Sequence, residues 1–220
     1  MAAENERKFL VISHEWRRIQ PISVADLTQG YLPQDLSGGT RLFINFNLAS
    51  ADAATIVISN DTDRIQFEAR GESLPDIRKL EAWNKDTGEV TLTGRVEGRI
   101  RLHEGTDRIK AILAVKQYGR GMGNREECEG ETGIDLGRQA LRRFCEKIVM
   151  KKRYTLPFEK QKWEIDVYQG INKGLITADI EADHINAMLP GMGEDISEVP
   201  ELRNQALAVH GVPDKYKLHL

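Results

Sequence analysis

Charge falls at every second position in run after run of this chain. In "ENERKFLV", residues 4–11, Glu4, Glu6 and Lys8 alternate with Asn5, Arg7 and Phe9. Arg99 and Arg101 share a parity in "GRIRL", Lys151 and Arg153 share one in "VMKKRYT", and Arg125, Glu127, Glu129 and Glu131 share one in "REECEGE". Glu164 and Asp166 stand opposite Trp163, Ile165 and Val167, while Asp179 and Glu181 stand opposite Ile176, Ala178 and Ile180. A strand directs alternate side chains to opposite faces, so each run has one charged face. Carboxylate oxygens bind hard divalent cations, and Arg forks and Lys ammoniums grip phosphate oxygens. Both sets together describe a site for a polyanion bridged by cations. Taken one at a time, each charged doublet also fits the solvated face of an amphipathic strand.

The elements that must position these residues are mostly strands. Period-two patterns cover 4–11, 41–48, 54–59, 64–70, 89–93, 97–102, 111–117, 125–131, 149–155, 162–168 and 175–182, and so many short strands point to a barrel or stacked sheets. Helical spacing runs through "DLGRQALRRFCEKIVM", with Leu136, Ala140, Leu141, Phe144, Cys145, Ile148 and Val149 on one side and Asp135 as N-cap. A second helix is expected through "VPELRNQALAVHG", between Pro200 and Gly211, and a short one at "SHEWRRI", capped by Ser13. Residues 33–94 differ, with turn clusters between four strand-like runs and no dense charged face, and read as a β-rich insertion within a single domain of 1–220. A closed sheet with its apolar side chains outward, under helices, would gather the charges in its lumen. Burying so many ions is costly unless each is paired or holds a ligand.

Composition excludes several classes. Lys and Arg number 31 against 34 Asp and Glu, a net charge of −3, which gives no basic domain for nucleic acid. The sequence has no apolar run of membrane-spanning length and "MAAENERK" has no signal-peptide core, so a cytoplasmic address and no membrane partner are expected. Two cysteines, Cys128 and Cys145, form no CxxC pair and read as reduced thiols. "GRGMG", residues 119–123, lacks the phosphate-loop pattern and reads as a hairpin turn.

In order, "ENERKFLV", "QGYL", "GRIRL", "AILAVK", "REECEGE", "KKRY", "WEIDVYQGINKGL" and "ADIEAD" resemble the motifs of the CYTH superfamily, the triphosphate tunnel metalloenzymes, in its compact bacterial form. The resemblance spans nearly the whole chain outside 33–94. It implies a mainly β (α+β) fold, an eight-stranded antiparallel β-barrel tunnel with surrounding helices. It further implies Glu4, Glu6 and Glu181 as ligands of a bridging Mg²⁺ or Mn²⁺, with Asp179 beside them. Asp166, Glu164, Glu127 and Glu129 would serve a second metal or a water-activating site. Lys8, Arg99, Arg101, Lys116, Arg125, Lys151 and Arg153 would hold the triphosphate, with Lys151, Asp166 and Glu164 nearest the chemistry. The implied activity is hydrolysis of a triphosphate-containing small molecule, inorganic tripolyphosphate first. Adenylate cyclase of class IV, thiamine triphosphatase and a non-catalytic polyphosphate-binding module remain open alternatives, and a homodimer is compatible with all of them. The sequence departs from the family at Asp179, where a glutamate is usual.

Overall fold

The computed structural model describes residues 6–33, 36, 39–47, 53–71, 86–92, 96–118 and 125–218. Its strands are β1 (Glu6–Val11), β2 (Ser23–Tyr31), β3 (Arg41–Phe46), β4 (Ala53–Ser59), β5 (Arg64–Arg70), β6 (Glu89–Thr91), β7 (Val96–Gly105), β8 (Ile109–Tyr118), β9 (Arg125–Thr132), β10 (Lys147–Phe158), β11 (Gln161–Tyr168), β12 (Ile176–Glu181) and β13 (Met192–Asp195). Two helices accompany them, α1 (Ile134–Phe144) and α2 (Asn204–His210). The protein is thus mainly β and antiparallel, as expected. The strand count of eight is corrected to thirteen among the described residues. Four of the extra strands, β3 to β6, lie in the segment read as a β-rich insertion, and the fifth is the four-residue β13. No described helix is long and apolar enough to cross a membrane.

Two compact units divide the chain. The first comprises Met1–Thr28, Glu104–Arg108 and Ile148–Leu220. Here the strand order is β13-β1-β12-β11-β10, followed by the first part of β2. Register pairs Glu6 with Glu181 and Lys8 with Asp179 across β1 and β12, Glu164 with Asp179 across β11 and β12, and Arg153 with Asp166 and Lys151 with Tyr168 across β10 and β11. Residues directly opposite in a ladder share a face, so the charged parities of four strands are stacked on one side. On the other side Phe9, Val11, Leu156, Trp163, Ile165, Ile176, Ala178 and Ile180 are buried together with Trp16 and Leu189. Trp163, fully buried, packs as parity demands. This sorting fixes the register: a slip by one residue would put the apolar set on the charged side.

The second unit comprises Gln29–His103 and Ile109–Lys147. Its order, from the end of β2, is β7-β8-β9-β5-β4-β3-β6. Ile100, Leu102, Ala111 and Leu113 are buried with Ala140, Leu141 and Phe144 of α1. Gly137 lets α1 lie close to the sheet, because a Cβ there would stand 2.0 Å from Ala111 Cβ.

Several helix expectations need correction. α1 stops at Phe144; Cys145 is already extended, and Ile148 and Val149 belong to β10. Its N-cap is Gly133 rather than Asp135, which instead pairs with Arg138 at 3.0 Å, and Leu136 is exposed. The alternation of "KIVMKKRYTLPF" into a buried strand outweighs the helical spacing that its first residues also satisfy. "SHEWRRI" makes only a 3₁₀ turn over Glu15–Arg18, and the C-terminal helix is split, a turn at Pro200–Leu202 preceding α2.

Candidate functional site

The charged face of the first unit is an ion network with little solvent. Asp166 is fully buried, and Lys151 and Asp179 nearly so. Lys151 Nζ donates to Asp166 Oδ2. Arg153 forks onto the same carboxylate, its Nε on Oδ1 and its Nη2 on Oδ2, each at 2.7 Å. The other ends of the guanidinium reach Glu164, and Asp179 Oδ2 at 3.3 Å. Lys8 Nζ closes the cluster, donating to Asp179 Oδ2 at 3.2 Å. Buried charges persist when they are paired and hydrogen-bonded, and here every cation of the cluster has a carboxylate.

The two central carboxylates nonetheless differ. Burial pushes the Asp166 carboxyl up, but Lys151 and Arg153 outweigh it and hold it well below the usual carboxylate range. For Asp179 burial dominates; Lys8 opposes it, the Asp166 charge reinforces it, and the carboxyl is pushed upward. Asp179 Oδ1 is buried and lies 3.1 Å from Lys8 Nζ. Among the cations, Lys8 is held protonated because its acidic neighbours overcome the cost of burial. Lys151 is lowered to about 8, burial outweighing the help of Asp166.

Glu6 and Glu181 are cross-strand neighbours at the exposed end of this face. Like charges directly opposite destabilise a sheet unless something bridges them. Glu4 lies outside the described residues. No group of three metal-ligating side chains converges among those described. Asp195, on β13, bonds Arg7 at 2.6 Å on the opposite parity and stands apart from the acids of the face.

In the second unit Arg99 and Arg101 keep a common parity on β7, half-buried, while Gly98, Ile100 and Leu102 are buried behind them. Arg99 approaches Glu129 at 3.7 Å. Lys116 is in register with Glu127, and Tyr118 with Arg125; the side chains of Arg125 and Glu127 lie outside what is described. Beside Glu129 a groove of about 810 Å³ is lined by Gln66, Glu68, Arg70, Glu131 and Thr132 among others.

Two members of the first face escaped the reading of charge alone. Tyr168 follows Glu164 and Asp166 at the same parity and is almost fully buried, with Lys151 Nζ 5.4 Å from its ring centroid. Thr177 precedes Asp179 and Glu181 in the same way, and its Oγ1 is buried beside the Tyr168 hydroxyl. The alternation that found the acids contains both.

No family model matches the chain. Over 102 residues it is 34% identical to an inorganic triphosphatase of Acetivibrio thermocellus, a match covering 44% of this chain and 65% of that relative. The chain therefore spans somewhat less than two thirds of the curated relative it matches. Its fold is similar to that in the crystal structure of the inorganic triphosphatase NE1496, with a TM-score of 0.51, 19% identity, and 94% of this chain and 95% of that one covered. A second structure, described as the hypothetical protein NE1496, gives a TM-score of 0.50 at 19% identity over 94% and 97% of the two chains. The sequence match is thus to a triphosphatase, and the fold is shared with these solved structures.

Proposed function

We propose that this protein hydrolyses triphosphates with the help of a divalent cation, and that inorganic tripolyphosphate, cleaved to pyrophosphate and phosphate, is its substrate. The observation that carries the reading is the single face on which Lys8, Lys151 and Arg153 interleave with Glu6, Glu164, Asp166, Asp179 and Glu181. A pure anion binder gains nothing from so many acids, whereas acids that take a cation and bases that take phosphate each find a partner in a metal–triphosphate complex. The relative's name and the shared fold support the same substrate.

Donor chemistry fits Mg²⁺ or Mn²⁺. Glu6 and Glu181 face one another, with the Asp179 carboxylate two residues along β12 at the same parity. We assign these three, with Glu4, to the cation, and Glu127 and Glu129 to further acid chemistry on the second unit. A cation bound there would neutralise phosphate charge and polarise the phosphoryl group under attack.

The chain's own residues do the rest. Lys8, Lys151 and Arg153 exchange carboxylate for phosphate oxygen, orienting the chain of phosphates and stabilising charge on the departing pyrophosphate. Released from Lys151 and Arg153, Asp166, with Glu164 beside it, is free to orient water and accept its proton. Arg99, Arg101, Lys116 and Arg125 carry the same phosphate chemistry, and we assign them polyphosphate contacts on the strength of the ordered motifs.

Incubation with tripolyphosphate, ATP or thiamine triphosphate and Mg²⁺ or Mn²⁺, followed by product analysis, tests the reading. Pyrophosphate and phosphate from tripolyphosphate are expected. Cyclic AMP from ATP would replace the hydrolase with a cyclase, and binding without turnover would leave a binding module. Full metal-dependent turnover in Glu6→Gln would overturn the metal assignment.

A further inference from the structure

On the charged face of β1, β10, β11 and β12, one side chain is aromatic. Tyr168 stands directly opposite Lys151 in the ladder, and Lys151 Nζ lies over its ring. Its hydroxyl is not left to the ions around it: Oη donates to Asn204 Oδ1 at 2.8 Å, the side chain that opens α2. A second tie joins the same helix to the β11–β12 connection, where buried Asn172 Nδ2 donates to the Leu207 carbonyl at 3.3 Å. One residue at the end of β11 thus touches a phosphate-binding lysine with its ring and the C-terminal helix with its hydroxyl.

Lysine has a long, flexible stem, so its ammonium is placed by its partners rather than by its backbone. Asp166 is one such partner, but a carboxylate competes with phosphate and is given up when the triphosphate arrives. The face of an aromatic ring attracts an ammonium through its quadrupole, and that attraction survives the exchange. Tyr168 is the partner that remains.

We propose that Tyr168 is a positioning residue for the triphosphate reaction: its ring holds the Lys151 ammonium at the phosphate-binding position, and its hydroxyl, through Asn204, anchors that ring to the C-terminal helix. This rests on the reading that Lys151 contacts the triphosphate. Misplacing a charge-stabilising group costs the transition state more than the ground state, so the effect belongs in kcat.

Steady-state kinetics with tripolyphosphate and Mg²⁺, together with thermal melting, on the wild type, Tyr168→Phe, Tyr168→Leu and Asn204→Ala test the proposal. Tyr168→Phe keeps the ring and is expected to stay within about threefold of wild-type kcat. Tyr168→Leu should lose roughly tenfold or more in kcat with KM changed less than about threefold, and Asn204→Ala, which cuts the same hydroxyl tie as Tyr168→Phe and keeps the ring, should match that variant. A residue that merely fills space would lower melting in the variants and leave kcat per folded molecule unchanged. Wild-type kcat in folded Tyr168→Leu, or equal losses in Tyr168→Phe and Tyr168→Leu, would overturn the positioning role while the hydrolase reading stands. Absence of turnover in the wild type would remove both. Should Tyr168→Leu not fold, Tyr168→Met carries the same comparison.

Discussion

The two units use the same alternation of charge and bury it to different depths. In the first, Asp166 is 0% exposed and Lys151 4%, and each forms an ion pair. In the second, Glu129 and Glu131 keep 41% and 55% of their side chains in solvent, and Glu68 and Arg70 keep more. Solvated pairs contribute little and are screened. A buried pair is different, because removing one partner strands the other without water. Identical sequence patterns therefore carry unequal constraint, and depth decides which.

The largest effect should come from Asp166→Ala. It leaves the Lys151 ammonium without its carboxylate and strips both hydrogen bonds from one edge of Arg153, so about 3–5 kcal/mol of stability should be lost. Urea unfolding followed by fluorescence of the buried Trp16 and Trp163 measures it. Asp179→Asn should cost much less, since burial already pushes that carboxyl toward its neutral form. Equal losses would mean that the two carboxylates are not distinct.

Next in size is a pH effect peculiar to the deep face. Lys151 is lowered to about 8, against roughly 10.4 in an unfolded chain. Between those values the unfolded state binds more protons, so this group makes stability rise with pH. Below about pH 8 its protonated form is buried at full cost, and above the unfolded value the contribution is constant. Wild type minus Lys151→Met should therefore climb with pH across that window, by at most about one proton's slope. A flat or falling difference would show that Lys151 is not desolvated. Asp166 has the opposite placement: its contribution is present above roughly pH 4 and is lost as pH falls through its depressed folded value.

How far the sequence could be read also follows depth and parity. The charged face of β11 and β12 was legible because four apolar residues, Trp163, Ile165, Ala178 and Ile180, alternate with it and end in one core. β2 was not, since its buried positions include Gln29, whose Nε2 donates to Tyr31, and Gly30, where a Cβ would meet Cys145 at 2.7 Å. A buried polar position breaks the apolar alternation, and a glycine that fits against Cys145, far along the chain, leaves no local trace. β13 is too short for a pattern. Asp166 and Asp179 were found as acids, but their carboxyls are shifted in opposite directions by the balance of burial against neighbouring charges, a matter of side-chain geometry that spacing does not record. Tyr168 was in the right parity and was overlooked because it carries no charge.

In the second unit the intolerant point is apolar. Gly137→Ala forces a Cβ to within 2.0 Å of Ala111 Cβ and 3.0 Å of Leu102 Cδ2, under α1. Helix propensity favours the alanine, yet overpacking should win, with a net loss of about 1–3 kcal/mol. A stabilised Gly137→Ala would mean that α1 can move off the sheet at no cost.

Smallest of all should be Glu131→Gln. Its carboxylate takes Lys110 Nζ, but it also stands in register with Glu68, a like charge on the neighbouring strand. Losing an exposed attraction while relieving an exposed repulsion should leave a change below about 1 kcal/mol, of either sign. The same neutralising substitution at buried Asp166, Asp166→Asn, removes attractions to Lys151 and Arg153 that outweigh the repulsion from Asp179, and water cannot replace the lost partners. Paired unfolding curves at low and high salt separate the two: salt should shrink the Glu131 effect and leave the Asp166 effect nearly intact. If both effects shrank alike, the face of the first unit would be as open to solvent as that of the second, and depth would not be what separates them.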